Sequence, residues 1–191
     1  MLRHAVSQWG GADDLWVFGY GSLLWRPELD FVERRPARLH GWHRALRMWS
    51  HVNRGTPDCP GLVFGLLSGG SCRGMVFRLP RAAGAQGLAQ LWQREMVTGV
   101  YDPRWLPCDT PGGKVRALAF TLSRRSPHHT GPLPDEEYRR IFSTAHGRFG
   151  STHDYARDTY EELRRLGIED RALARLLRLS QADSGGTEPA A

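Results

Sequence analysis

The chain is short of cysteine, nearly free of lysine and without any long apolar run, and each shortage excludes something. Its 191 residues include three cysteines, Cys59, Cys72 and Cys108. They are an odd set, widely spaced and with no Cys-x-x-Cys pair, which argues against a disulfide framework or a zinc knuckle and fits a reducing cytoplasm. No apolar stretch approaches the roughly 20 residues that a membrane helix needs. Met1 to Gly11 lacks the continuous apolar core of a secretory signal, so neither a membrane nor export is expected. Of 26 basic residues only Lys114 is a lysine. The net charge of +6 invites a nucleic-acid partner. The arginines, however, are scattered and often stand beside acids, as in Glu33-Arg34-Arg35, so none is expected. Attraction of small anions is the milder consequence of the surplus.

What is present reads as one globular domain with a full core. A loose, flexible segment over 1–14 precedes a single domain over 15–179, and a disordered Ser-, Gly- and Pro-bearing tail follows over 180–191. Leu15 to Phe18 reads as a first strand. Val32 to Leu39 and Trp42 to Ser50 read as two more, joined near His40-Gly41. His51 to Gly61 is a loop. Leu62 to Leu67 and Gly74 to Leu79 read as a hairpin turning at Ser68-Gly69-Gly70-Ser71. The period then changes: Leu88, Leu91, Trp92 and Met96 predict a helix over Ala85 to Val97. Val115 to Leu122 is a strand after Pro111-Gly112-Gly113. Beyond Pro134 the chain reads as three helices, the first opened by Asp135-Glu136-Glu137. The second is capped by Ser151 or Thr152, and the third covers Ile168 to Leu179. Short strands, one inserted helix and a helical end make an α+β fold.

Two features carry chemistry. The apolar run Trp16-Val17-Phe18 ends abruptly in Gly19-Tyr20-Gly21-Ser22, and Leu23-Leu24-Trp25 follows at once. Glycines on either side of a tyrosine allow a sharp turn and leave backbone N–H groups unshielded, suited to a carboxylate or an oxyanion. An ordinary tight turn is the plain alternative. The second feature is Glu95, four residues after Leu91 and seven after Leu88, which places a carboxylate on the inward face of the predicted helix. Such a group needs a partner, with Arg73 and Arg78 as candidates, or a raised pKa and a role in proton transfer. The acids Asp135, Glu136, Glu137, Glu161 and Glu162 are expected to face solvent.

Other constellations exclude more than they offer. His40, His43 and His51 share no face with a carboxylate, so no metal is expected. Ser22 lacks the Gly-x-Ser-x-Gly setting of a hydrolase nucleophile. Leu24 stands where a dinucleotide-binding loop has its third glycine, and βαβ alternation is missing, so no nucleotide cofactor is expected.

Taken in order, four segments resemble the ChaC-type γ-glutamylcyclotransferases. They are Val17-Phe18-Gly19-Tyr20-Gly21-Ser22-Leu23 with Trp25; Arg54-Gly55-Thr56-Pro57 with Pro60-Gly61; Arg94-Glu95-Met96 with Gly99 and Tyr101; and Gly150-Ser151-Thr152 with Tyr155, leading to Leu166-Gly167-Ile168-Glu169-Asp170. The resemblance covers about Trp16 to Leu177. Val100 departs from the family's frequent Gly-Gly-Tyr, and Thr152 stands where asparagine is common. The resemblance implies a mixed β-barrel with an inserted helix and C-terminal helices. It implies cleavage of glutathione to 5-oxoproline and Cys-Gly by the substrate's own α-amine, without metal or nucleotide. Glu95 would then be the general base and acid. Val17, Phe18, Gly19, Tyr20, Gly21, Ser22 and Leu23 would bind substrate, Arg54 would meet the glycyl carboxylate, and Tyr101 would line the pocket. The alternatives are a cyclotransferase for other γ-glutamyl amines and a non-catalytic module that binds a small acid.

Overall fold

Strand β1 (Leu15–Gly19) is buried along nearly its whole length because it is paired on both edges. It runs antiparallel to β3 (Gly61–Leu79), Val17 facing Phe77, and parallel to β5 (Gly113–Thr121), Val17 facing Leu118. With β2 (Glu33–Ser50) and β4 (Asp102–Thr110) these strands close a barrel in the order β1-β3-β2-β4-β5. The parallel β1–β5 pair among antiparallel neighbours makes it the mixed barrel of an α+β fold, as expected. A computed structural model describes residues 1–180. Apart from Ser180, the tail expected to be disordered lies outside the described residues.

The described residues fall into two compact units. The first is Met1–Ala45 with Gly65–His129; the second is Leu46–Phe64 with the described part of Thr130–Ala191. In the first unit the core is apolar and tightly closed. Phe18, Phe77, Phe120, Leu79 and Leu88 keep 2% or less of their surface exposed. Each such side chain contributes about 1.5–3 kcal/mol on burial, which is the reserve against which a half-buried carboxylate is tolerated.

Several local expectations are corrected. Residues 2–9 are not loose but form helix α1 (Leu2–Trp9), closed by Gly10 in the left-handed region. Eight residues are too few to be helical alone; Ala5 is buried, and Arg116 Nη1 donates to Gln8 O at 3.0 Å. The hairpin at Ser68–Ser71 does not form. Gly69 and Gly70 do take φ of +101° and +71°, but the chain continues through them as one strand. A glycine pair absorbs an irregularity in a long barrel strand as readily as it reverses one. β2 likewise runs unbroken through Gly41. β4 has no counterpart in the sequence reading because Pro103 and Pro107 interrupt its strand signal. The inserted helix α2 (Arg81–Glu95) begins four residues earlier than predicted and ends two residues sooner.

The second unit carries helices α3 (Asp135–Thr144), α4 (Thr152–Arg165) and α5 (Arg171–Leu179), with the two-residue strands β6 (His146–Gly147) and β7 (Gly150–Ser151) between α3 and α4. The cap of α4 is Ser151, whose Oγ accepts from Asp154 N at 2.9 Å. Asp170 caps α5 through Leu173 N, so that helix opens three residues later than expected. Glu162 is not solvent-facing: it keeps only 6% of its surface and pairs with Arg165 at 2.9 Å. Its place on α4 beside Leu163 turns it inward, while Glu161 stays exposed.

Candidate active site

The end of β1 is shaped by what lies against it. A Cβ on Gly19 would press on the Phe77 ring, and one on Gly74 would strike the Gly19 carbonyl. Glycine at these two positions lets β3 pass directly behind the turn. Val17 and Phe18 are fully buried and Leu23 nearly so, so they support the turn from within the core. Beyond Gly21 the chain enters a single 3₁₀ turn, Ser22–Leu24, tied by Leu24 N to Gly21 O at 2.9 Å. The leading N–H groups of such a turn have no partner inside it.

Tyr20 is buried, and its hydroxyl donates to Phe120 O at 2.7 Å. That bond ties the Tyr20 turn to β5 across 100 positions of the chain. The Phe120 ring also takes the edges of Trp92, with centroids 5.9 Å apart, and of Tyr101, at 6.2 Å. Phe120 thus joins the Tyr20 turn, helix α2 and the Tyr101 segment. Removing the hydroxyl in Tyr20→Phe is expected to cost about 1–3 kcal/mol, read as a lowered urea midpoint with an unchanged m value.

Glu95 is the last residue of α2, its side chain 16% exposed. Desolvation pushes its carboxyl above the usual glutamate range, the Arg94 guanidinium pulls it back, and the Glu28 carboxylate adds to the rise. Its partner is neither Arg73 nor Arg78. Arg78 is engaged with Asp14 at 2.7 Å and Glu33 at 2.8 Å. Arg94 Nε lies 3.0 Å from Glu95 Oε1. The same guanidinium reaches Ser22 Oγ at 3.1 Å, Arg26 O at 2.6 Å, Pro27 O at 3.1 Å and Glu28 Oε2 at 3.0 Å. A second cation, Arg44, donates from Nη1 to Tyr20 O at 2.9 Å and to Arg73 O at 3.2 Å. The sequence reading gave neither arginine a role: Arg94 stood only as part of the Arg94-Glu95-Met96 segment, beside an inward acid, and for Arg44 there was no signal.

The first unit therefore brings together the Tyr20 turn, Glu95 and Tyr101. Arg54 belongs to the second unit and is 8% exposed. Its guanidinium lies 4.9 Å from the Tyr155 ring centre and donates to Phe149 O. Its backbone N–H reaches Ser50 Oγ at 3.0 Å, and its carbonyl accepts from Thr152 Oγ1 at 3.2 Å. Thr152 Oγ1 also accepts from Leu62 N at 2.8 Å, so this residue is a tie between loops and not the helix cap.

Comparison with known proteins agrees with this architecture. The family model described as ChaC-like protein matches residues 15–183. A glutathione-specific gamma-glutamylcyclotransferase of Escherichia coli (strain K12) is 37% identical over 164 residues, covering 85% of this chain and 71% of that protein. Glutathione-specific gamma-glutamylcyclotransferase 1 of Mus musculus is 31% identical over 158 residues, covering 79% of this chain and 71% of that protein. Among solved structures, a glutathione-specific γ-glutamyl cyclotransferase from yeast has a TM-score of 0.81 at 21% identity, covering 89% of this chain and 96% of that one. That likeness shows the fold. Matched by the family model over most of its length, and by relatives more than 30% identical, the chain belongs to the ChaC-like protein family.

Proposed function

We infer that this chain is a γ-glutamylcyclotransferase that cleaves glutathione to 5-oxoproline and Cys-Gly. The observation that carries the reading is Glu95, a carboxylate raised by desolvation and connected through Arg94 to the Tyr20 turn. The E. coli and mouse relatives, named for action on glutathione, supply the substrate class. The three cysteines are free thiols, which fits action in the cytoplasm, where glutathione is held reduced.

The reaction needs no protein nucleophile. The substrate's α-amine attacks its own γ-carbonyl carbon, the new C–N bond closes a five-membered lactam, and the bond to the cysteinyl nitrogen breaks. Holding the substrate folded replaces a bimolecular encounter, an effect worth up to about 7–11 kcal/mol in well-oriented cases. An α-amine titrates near pH 8, so it is mostly protonated at neutral pH and must lose a proton before attack. An ordinary glutamate is too weak a base for this; desolvation moves Glu95 in the required direction. Glu95 takes a proton from the α-ammonium and returns it to the leaving nitrogen; the second proton, lost as the lactam N–H forms, goes to the released amine, which is protonated at neutral pH, so two protons leave one nitrogen and two arrive on the other. The backbone N–H groups of the Gly21–Leu23 turn hold the α-carboxylate or the developing oxyanion. Tyr101 borders the same region through the Phe120 ring.

Incubation of the purified protein with glutathione is expected to release 5-oxoproline and Cys-Gly in equal amounts. Turnover of other γ-glutamyl amines with glutathione left intact would redirect the substrate assignment. Absence of 5-oxoproline from every γ-glutamyl compound would overturn the reading.

A further inference from the structure

Arg94 makes more polar contacts than a surface ion pair needs. Its side chain is 20% exposed, and its three nitrogens meet acceptors from two separate elements. From its own helix comes the Glu95 carboxylate at 3.0 Å. From the segment after β1 come Ser22 Oγ, the carbonyls of Arg26 and Pro27, and the Glu28 carboxylate, all within 3.1 Å. Glu28 is the one non-glycine residue with positive φ among the described residues, at +48°. It also accepts from Arg26 Nε at 2.5 Å. A residue held in that conformation implies surroundings that fix it. The Arg94 fork, with Arg26, is what fixes it here.

We propose that Arg94 is a positioning residue for catalysis: its guanidinium clamps the Ser22–Glu28 segment to the end of helix α2 and so sets the Tyr20 turn and Glu95 at a fixed spacing. This rests on the reading of Glu95 as the proton carrier. Two backbone carbonyls, a hydroxyl and two carboxylates are too many acceptors, in too many directions, for a compact ammonium to satisfy, whereas a planar guanidinium offers five donors. The charges that face Glu95 are Arg94 from its own helix and Glu28 from the segment packed against it. Removing Arg94 takes away the only one of the two that favours the ionised carboxylate.

The experiment is the pH dependence of kcat and KM for glutathione in the native sequence and in Arg94→Met, Arg94→Lys and Glu95→Gln. Arg94→Met is expected to lose about 10²-fold in kcat, the scale of a misplacement near 1 Å. Its acid limb should move to higher pH, because the unpaired Glu95 holds its proton longer. Arg94→Lys keeps the charge, so its acid limb stays near the native position while kcat remains lowered by the missing contacts. A buried arginine with only a structural role would lower thermal stability and leave the acid limb of the surviving fraction in place. Native kcat in Arg94→Lys, or a native acid limb in Arg94→Met, overturns the proposal while an inactive Glu95→Gln leaves the proton-carrier reading standing. A fully active Glu95→Gln overturns that reading itself. Should Arg94→Met not fold, the kcat of Arg94→Lys decides the positioning claim alone.

Discussion

Glu95→Gln is expected to lower kcat for glutathione cleavage by about 10²–10⁴-fold, the range of a positioned general base. The replacement has the same shape and keeps an oxygen that can still accept from Arg94 Nε, so helix α2 and the turn should be undisturbed. KM should change little, since in the proposed role the group moves a proton and need not hold the substrate. The native profile should carry the same signature. The proposed base role needs Glu95 ionised, and its carboxyl is raised above the ordinary glutamate range by desolvation. The acid limb of kcat should therefore lie at higher pH than an unperturbed glutamate would give, and rate should fall as pH drops through it. The limb should be absent from the residual rate of Glu95→Gln. A kcat within threefold of native in Glu95→Gln, or an acid limb at the ordinary glutamate position in the native protein, contradicts this assignment.

Thr152→Val should produce the largest loss of stability from a near-isosteric change. Thr152 is fully buried, and its Oγ1 serves two backbone groups: it accepts from Leu62 N at 2.8 Å and donates to Arg54 O at 3.2 Å. Valine fills the volume and offers neither contact. Each buried group left unsatisfied costs about 1–3 kcal/mol, a large share of a domain's net stability. No relaxation is at hand, because Gly61 packs so closely on the Arg54 carbonyl that even a Cβ there would clash. Urea unfolding should show a lower midpoint, and Thr152→Ser should recover most of it by restoring the hydroxyl. A midpoint for Thr152→Val equal to native would mean that water or a shift of the loop satisfies both groups.

The sequence exposed some of this plainly. A strand of Trp, Val and Phe breaking into Gly-Tyr-Gly-Ser is a local pattern, and the structure has β1 ending at Gly19 with a 3₁₀ turn after it. The seven-residue spacing from Leu88 to Glu95 is equally local, and Leu88 and Leu91 are fully buried on that helix. The cap at Ser151, one of two adjacent residues that could serve, and the acids in the first turn of α3 follow from helix ends whose N–H groups need acceptors. Each of these depends on residues within about two turns of one another.

The misreadings were those of elements whose outcome is settled elsewhere. Ser68-Gly69-Gly70-Ser71 has the residues of a hairpin, yet its neighbours pair with β1 and β2 along one long strand, and the pairing decides. β4 carries two prolines that weaken any strand signal, yet it is held along its length by β5. Glu162 looked like the rest of a charged run until helix α4 took its orientation.

By itself, then, the sequence determined where the turn, the inward carboxylate and the C-terminal helices lie, because alternation, helical period and capping act over a few residues. Tertiary structure alone decided that Arg94, and not Arg73 or Arg78, partners Glu95, and that it reaches Ser22 across 72 positions. It alone placed the Tyr20 hydroxyl on Phe120 across 100 positions, and Thr152 on Leu62 across 90. A hydrogen bond is directional and short, so its partner is chosen by where the barrel and loops bring backbone groups, and no pattern along the chain encodes that meeting.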